Sequence, residues 1–192
     1  MKFCLQCGTA KVGRRTPPGD THERHVCDEC AYVHYENPKV IAGCIPEYDG
    51  KILLCRRAIE PRRGWWTLPA GFLELGETMA EGASREALEE ANAVVAIESL
   101  YTIFSVPHIS QVYAFFRAGL PNGNFAPGEE SLAVALYDEH DIPWDDIAFA
   151  AVHKTLELYF ADRREGRFRT HSGDVVRTPG PDAQTHFQIH SQ

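Results

Sequence analysis

The stretch GFLELGETMAEGASREALEEANA, residues 71–93, decides the fold of this chain. Its core is Arg85-Glu86-Ala87-Leu88-Glu89-Glu90. On a helix, positions 86, 89 and 90 stand i, i+3 and i+4 apart, so Glu86, Glu89 and Glu90 project from one face. Like charges at that spacing repel by about 0.2–0.5 kcal/mol per pair. A divalent cation removes the repulsion, and hard cations such as Mg2+ take carboxylate oxygens together with phosphate oxygens. A solvated acidic face would carry the same three residues, and the flanks must separate the two readings. Ala80, Ala83, Ala87 and Ala91 lie in another sector of a helix expected over 77–91, a small-residue face able to pack closely on a sheet.

Working outward, 40–45 and 51–55 read as strands joined by a hairpin turn around Tyr48-Asp49-Gly50. Pro46 is expected to end the first strand or to mark a bulge. Residues 65–68 read as a short strand and 71–76 as a loop. Segments 93–98, 99–105, 111–118 and 132–137 are strand candidates, in keeping with a mixed sheet. A second helix is expected over 149–164, with Val152, Leu156, Tyr159 and Phe160 on one stripe. From Gly166 the chain turns polar and carries Pro179-Gly180-Pro181, so 166–192 is expected to be a partly disordered tail with His186 and His190 incidental.

The N-terminal segment carries a separate pattern. Cys4-x2-Cys7 and Cys27-x2-Cys30, nineteen residues apart, have the spacing of a four-thiolate structural zinc site, which places a zinc ribbon over 1–34. Two disulfides are the alternative. Residues 2–10 lack the apolar core of a secretory signal, and intracellular chains seldom keep structural disulfides. His22, His25 and His34 are expected beside the ligands rather than among them. Cys44 and Cys55 sit in apolar runs and read as core. A length of 192 residues suits one medium domain, here 35–165, with a small appendage. The formal charge of −8 argues against a broad nucleic-acid footprint. It does not exclude nucleotide substrates, since bound metals invert the local field. No apolar run approaches the ~18 residues of a membrane span.

Gly71, five residues, Glu77, seven residues, then Arg85-Glu86-Ala87-Leu88-Glu89-Glu90 resembles the Nudix box, Gx5Ex7REUxEExGU, with U a bulky aliphatic. Trp66-Thr67-Leu68-Pro69-Ala70-Gly71-Phe72 resembles the run leading into that box. Asn92 replaces the usual Gly, and Ala87 and Ala93 are small for U positions; Asn tolerates the left-handed conformation that closes a helix. The resemblance covers about 38–165 and implies an α/β (α+β) fold, the Nudix α-β-α sandwich with a mixed sheet. With the ribbon added, the order of features is similar to the plant chloroplast FAD pyrophosphatase type, which also acts on ADP-ribose-like compounds. Glu36-Asn37-Pro38-Lys39, Phe125-Ala126-Pro127-Gly128, Glu130-Ser131-Leu132 and Leu156-x-Leu158-Tyr159 support that likeness. No transit-type extension precedes the ribbon, so a cytoplasmic bacterial-type relative is expected.

The resemblance implies hydrolysis of a nucleoside diphosphate linked to another moiety, with water as nucleophile and Mg2+ or Mn2+ as cofactor. By it, Glu86, Glu89, Glu90 and the Ala70 carbonyl are metal ligands, and Glu77 and Arg85 an orienting pair. Glu130, with Glu129 as rival, stands where relatives place a water-activating acid, although the further acid some carry three residues on is Ala133 here. Arg57, with Arg56, is a candidate for substrate phosphate, and Phe104, His108 and Tyr113 for a stacking wall. The expected substrate is FAD or ADP-ribose, giving AMP plus FMN or ribose 5-phosphate. The alternative is an NADH pyrophosphatase or NAD-cap decapping enzyme, disfavoured because no S-Q-P-W-P-F-P-x-S-like run follows the box. A non-catalytic nucleotide-binding regulator is a further alternative that the intact carboxylates argue against. The expected partner is a small dinucleotide; a homodimer is left open.

Overall fold

The computed structural model describes residues 1–178 and 185–190. They divide into two compact units, Met1–Asn37 and Pro38–Gln192.

In the first unit, β1 (Val12–Arg15), β2 (Arg24–Cys27) and β3 (Val33–His34) form an antiparallel sheet in that order. The sulfurs of Cys4, Cys7, Cys27 and Cys30 lie within 4.8 Å of one another. All are free thiols, so the two-disulfide alternative is not the one realised. Cys4–Cys30 and Cys7–Cys27 sulfurs are each 3.6 Å apart. A tetrahedron with zinc–sulfur bonds of ~2.3 Å has edges of about 3.8 Å, so the cluster has the size a zinc ion requires. Backbone N–H groups of Gln6 and Glu29 point at the Cys4 and Cys27 sulfurs at 3.4 Å, the donors that stabilise thiolates at such a knuckle. His22, His25 and His34 stay outside the cluster, as expected.

In the second unit the strands are β4 (Lys39–Tyr48), β5 (Lys51–Arg57), β6 (Trp66–Thr67) and β7 (Ala70–Phe72), followed by α1 (Met79–Ala91). Then come β8 (Ala96–Val106), β9 (Gln111–Gly119), β10 (Ser131–Tyr137), α2 (Ala150–Glu165), β11 (His171–Arg177) and β12 (Thr185–His190). The mixed sheet runs β10-β5-β4-β9-β8-β11-β12, with β6 on β5 and β7 on β4. β4–β9 and β8–β11 are parallel and the other pairs antiparallel. Two-residue periodicity sorts the side chains. Ile41, Ile45, Ile52, Leu54, Tyr113 and Phe115 join the core under α2, where Val152, Leu156, Tyr159 and Phe160 are buried. Ala42, Cys44, Phe116 and Ala118 face the other way, against Ala83 and Ala87 of α1. Cys44 and Cys55 are core residues, as read. Among the described residues no helix is long and apolar enough to cross a membrane.

The local signals explain the boundaries. Asp49 and Gly50 both have positive φ, the two-residue turn that suits the strand twist. Thr78 caps α1 reciprocally with Glu81, and Asn92 closes it at φ 47° in the left-handed region. Three expectations change. β4 runs through Pro46, which lies between the strand's pairing with β7 at Gly43 and with β5 at Glu47, where no ladder donor is required on that edge. The strands expected at 93–98 and 99–105 are one strand, β8, whose register shifts after Ile97 and Leu100 break the alternation. The tail is the largest correction: 171–177 and 185–190 extend the sheet as a hairpin. Pairing there is through the backbone, and only Gly173 and Val175 of β11 are fully buried, so the composition stays polar. The Pro179-Gly180-Pro181 run lies outside the described residues.

Asn92 carries both the left-handed turn and side-chain hydrogen bonds to the Ala126 and Pro127 carbonyls, each 3.1 Å. Asn92→Ala is expected to destabilise the domain by about 1–2 kcal/mol, because it removes the side-chain hydrogen bonds that hold the loop and make the left-handed conformation tolerable. Urea unfolding should show a lower midpoint at unchanged m.

Candidate active site

A cavity of about 910 Å³ opens in the second unit, near the upper end of the ~300–1,000 Å³ usual for small-molecule sites. One wall is acidic: Glu86, Glu89, Glu90, Glu129 and Glu130 all line it. The other is apolar, with Ile41, Tyr113, Phe149 and Val152 deep in it and Phe72 and Ile109 at exposed positions.

The acidic wall follows from how α1 is fixed at both ends. At its start, Glu77 accepts two hydrogen bonds from Arg85, Nε at 3.0 Å and Nη2 at 2.7 Å, and one from the Glu74 amide at 2.7 Å. Arg85 Nη2 also donates to the Phe72 carbonyl at 3.0 Å, tying the helix to β7. Its Nη1 lies between Glu86 (2.7 Å) and Glu89 (2.9 Å). Glu81, four residues before Arg85, is instead engaged at the helix cap. At the far end, the Ala126 and Gly128 amides donate to the Ala91 and Glu90 carbonyls at 2.8 and 3.0 Å, satisfying open acceptors of the last turn. A Cβ on Gly128 would stand 1.7 Å from the Glu89 carbonyl, so this clasp requires glycine. It delivers Glu129 and Glu130 to the cavity, and the Ala58 amide holds the Glu130 carbonyl at 2.8 Å.

Burial makes the acids unusual. Glu86 and Glu90 are 8% and 6% exposed, whereas Glu89 is open to solvent. Burial pushes the Glu86 carboxyl up, only partly opposed by Arg85. Glu90 is pushed up to about 8 by burial and by the neighbouring Glu86 charge. Its hydrogen bond is from the Ala70 amide at 3.2 Å, and it has no salt-bridge partner among the described residues. A Cβ on Gly71 would meet the Glu86 carboxylate at 2.3 Å, so the first glycine of the stretch is the space this acid occupies. Two buried carboxylates, one bonded to the Arg85 guanidinium and the other without a salt bridge among the described residues, are oxygen donors of the kind hard divalent cations prefer.

The other anticipated residues divide. Arg57 lines the cavity, its Nε held by the Pro61 carbonyl at 2.8 Å and its guanidinium over the Phe149 ring at 5.1 Å. Arg56 instead donates to the Gly64 carbonyl and lies off the cavity. Tyr113 lines it, but Phe104 does not: it is fully buried, with its ring against Phe187. The stacking role expected of Phe104 is corrected on that ground, since its ring is consumed by the core. His108 is exposed but outside the cavity. Sequence reasoning missed Ile109, Gln111 and Phe149 as wall residues. Positions 111 and 113 share a strand face, a signal that period-two spacing could have supplied.

With this geometry established, residues 37–160 match the NUDIX domain and residues 2–36 the Nudix N-terminal zinc ribbon. The chain belongs to the Nudix hydrolase family. A NUDIX hydrolase of Nitrosomonas europaea, known from a crystal structure, is 55% identical with a TM-score of 0.88 over 91% of this chain and 99% of that one. An ADP-ribose pyrophosphatase of Methanocaldococcus jannaschii is 31% identical over 58% of this chain and 69% of that protein. The NAD-capped RNA hydrolase NudC of Haemophilus influenzae is 28% identical over 85% of this chain and 63% of its own length. This chain therefore spans a little under two thirds of that relative.

The Arg85 bond and the Glu74 amide hold Glu77 well below the ordinary carboxylate range, at about 2. A carboxyl whose pKa is lower in the folded than in the unfolded chain stabilises the fold above the ordinary range and loses that contribution as pH falls through the folded value. Wild-type stability should therefore fall more steeply than that of Glu77→Gln between about pH 5 and pH 2, read by denaturant titration at each pH. Parallel curves would show that the pair does not anchor α1.

Proposed function

We propose that the chain hydrolyses the pyrophosphate bond of a nucleoside diphosphate joined to a second moiety, ADP-ribose or FAD. Water attacks one phosphorus, the bridging P–O bond breaks, and AMP leaves with ribose 5-phosphate or FMN. The observation that carries this reading is Glu90, a buried carboxylate beside buried Glu86 with no salt bridge among the described residues. The M. jannaschii relative supports ADP-ribose.

Glu86, Glu89, Glu90 and the Ala70 carbonyl are the groups that would hold Mg2+ or Mn2+. Cations there neutralise phosphate charge and lower the pKa of bound water. Arg85, oriented by Glu77, donates to Glu86 and Glu89 and holds both in the cavity wall. Glu130 accepts the proton of the attacking water, with Glu129 as its neighbour in the same wall. Arg57 meets the phosphate from beside the acids, its charge close enough to Glu90 to lower that carboxyl, while Tyr113 and Phe149 take the flat base. In the ribbon, Cys4, Cys7, Cys27 and Cys30 hold a structural zinc with no position left open for chemistry.

A second reading, hydrolysis of NADH or NAD-capped RNA, is favoured by the NudC likeness, which covers 85% of this chain. The charge of −8 weighs against an RNA partner.

Chromatography of reactions with ADP-ribose, FAD, NADH and NAD-capped RNA in Mg2+ separates the readings. AMP with ribose 5-phosphate or FMN is expected; turnover of only NADH or capped RNA would replace this reading with the second. Glu86→Gln, Glu89→Gln and Glu90→Gln should each lose at least ~10²-fold in rate while staying folded. Near wild-type rates in both Glu89→Gln and Glu90→Gln would reduce the acids to a solvated face.

Elemental analysis of protein purified without chelator should give one zinc per chain. Cys27→Ser should remove it and loosen 1–34 with the hydrolase domain still folded.

A further inference from the structure

We propose that the C-terminal hairpin, β11–β12, is a positioning element for the nucleotide base, holding the corner of the sheet that carries the apolar wall of the cavity. This rests on the pyrophosphatase reading. The hairpin lies beyond residues 37–160, the part matched to the NUDIX domain, and no catalytic group lies on it.

The corner is the link from β8 to β9, a single 3-10 turn at Pro107–Ile109. It presents Ile109, Gln111 and Tyr113 to the cavity. On one side the turn is held by β4, whose Lys39 amide donates to the Ser110 carbonyl at 3.0 Å; on the other it is held through β8. β11 pairs in parallel with β8 from Thr102 to Ser105, immediately before the turn, and also contacts the turn itself. The link across the sheet is direct: Asp174 is in register with Ser105, and Ser105 with Val112 between the two wall residues of β9. On the core side Phe187 of β12 sets its ring edge-on to Phe104, centroids 6.0 Å apart, and Phe104 is in register with Tyr113. The buried Phe104 thus transmits the hairpin's position to the tyrosine instead of touching the base.

The hairpin is anchored where it leaves α2. Asp162, 3% exposed, accepts from His171 Nε2 at 2.8 Å, the Arg169 amide at 3.1 Å and the Tyr101 hydroxyl at 3.2 Å. Thr170 Oγ1 donates to the Leu100 carbonyl at 3.0 Å. These bonds fasten the first residues of β11 to β8 and α2, while Val175 is buried in the main core. A hairpin serving only to cover the β8 edge would contribute stability alone. One that aims the wall must also set affinity.

Phe187→Ala and His171→Ala in the full chain separate these roles. With ADP-ribose and with FAD, KM should rise about five- to tenfold, while kcat and the Mg2+ concentration for half-activation stay within about twofold, because the acidic wall is untouched. AMP affinity by calorimetry should weaken in parallel, and amide exchange at 109–113 should quicken. Unchanged KM and AMP affinity in both variants, whatever the melting temperature does, overturns the proposal. So does an equal loss in kcat and Mg2+ activation, which marks general loosening. Failure of the wild type to turn over either substrate would instead remove the pyrophosphatase reading, and AMP affinity would still judge the hairpin.

Discussion

The close approach of α1 to β4 is the constraint on which the site depends. Ala83 and Ala87 have no exposed surface and meet Ala42 and Cys44, so the helix lies on the sheet with almost no side chain between. On the opposite face of β4, a Cβ on Gly43 would stand 2.4 Å from that of Ala70 in the paired strand β7. Larger residues in place of Ala83 and Ala87 would lift the helix, and overpacking of this kind costs about 1–3 kcal/mol. The alanines at positions where the family favours bulky aliphatics are therefore part of the packing. With the helix this low, Glu86 and Glu90 are largely withdrawn from solvent and lie against Gly71 and Ala70 at the cavity.

That position is costly for the carboxylates and is maintained by neighbours that cannot relax. Burial raises both acids, with the Glu86 charge adding to it at Glu90 and the Glu89 charge at Glu86, while Arg85 is divided among Glu77, Glu86, Glu89 and the Phe72 carbonyl. Replacing a cluster like this by apolar residues would commonly stabilise a fold. Its retention at the floor of a cavity makes chemical sense when charge arrives with divalent cations and phosphate. The loop 126–128 then closes the other end of the helix, so the acids of α1 and those at 129–130 are brought to one wall by hydrogen bonds to the last helical turn.

Much of this was legible in the sequence because it rests on short-range rules. The Thr78 cap, the left-handed Asn92, the Asp49-Gly50 turn and the four cysteines each depend on residues near in the chain. The acidic stripe is legible for the same reason, since one helix carries it. Phe104 was misassigned because alternation tells which face a strand residue occupies but not how deep it lies in a row; Tyr113 borders the cavity and its register partner does not. The hairpin after α2 was missed because its order derives from backbone pairing with β8 and from Asp162, sixty-one residues from Tyr101 and nine from His171. Polar composition conveys nothing about contacts of that range.

The cavity thus has two walls of different origin. The acidic one is built from one helix and one clasping loop, and its geometry is over-determined by Arg85, the glycines at 71 and 128 and the alanine face. The apolar one is assembled from β4, β7, the β8–β9 corner and the start of α2, segments far apart in sequence. Substitutions at Ile109, Gln111 or Phe149 leave the packing of α1 on β4 intact, so the choice of base can drift while the hydrolytic machinery stays fixed. On the proposed reading, changes in the apolar wall would alter which dinucleotide is held without disturbing the acids, and the β8–β9 corner of that wall adjoins the C-terminal strands.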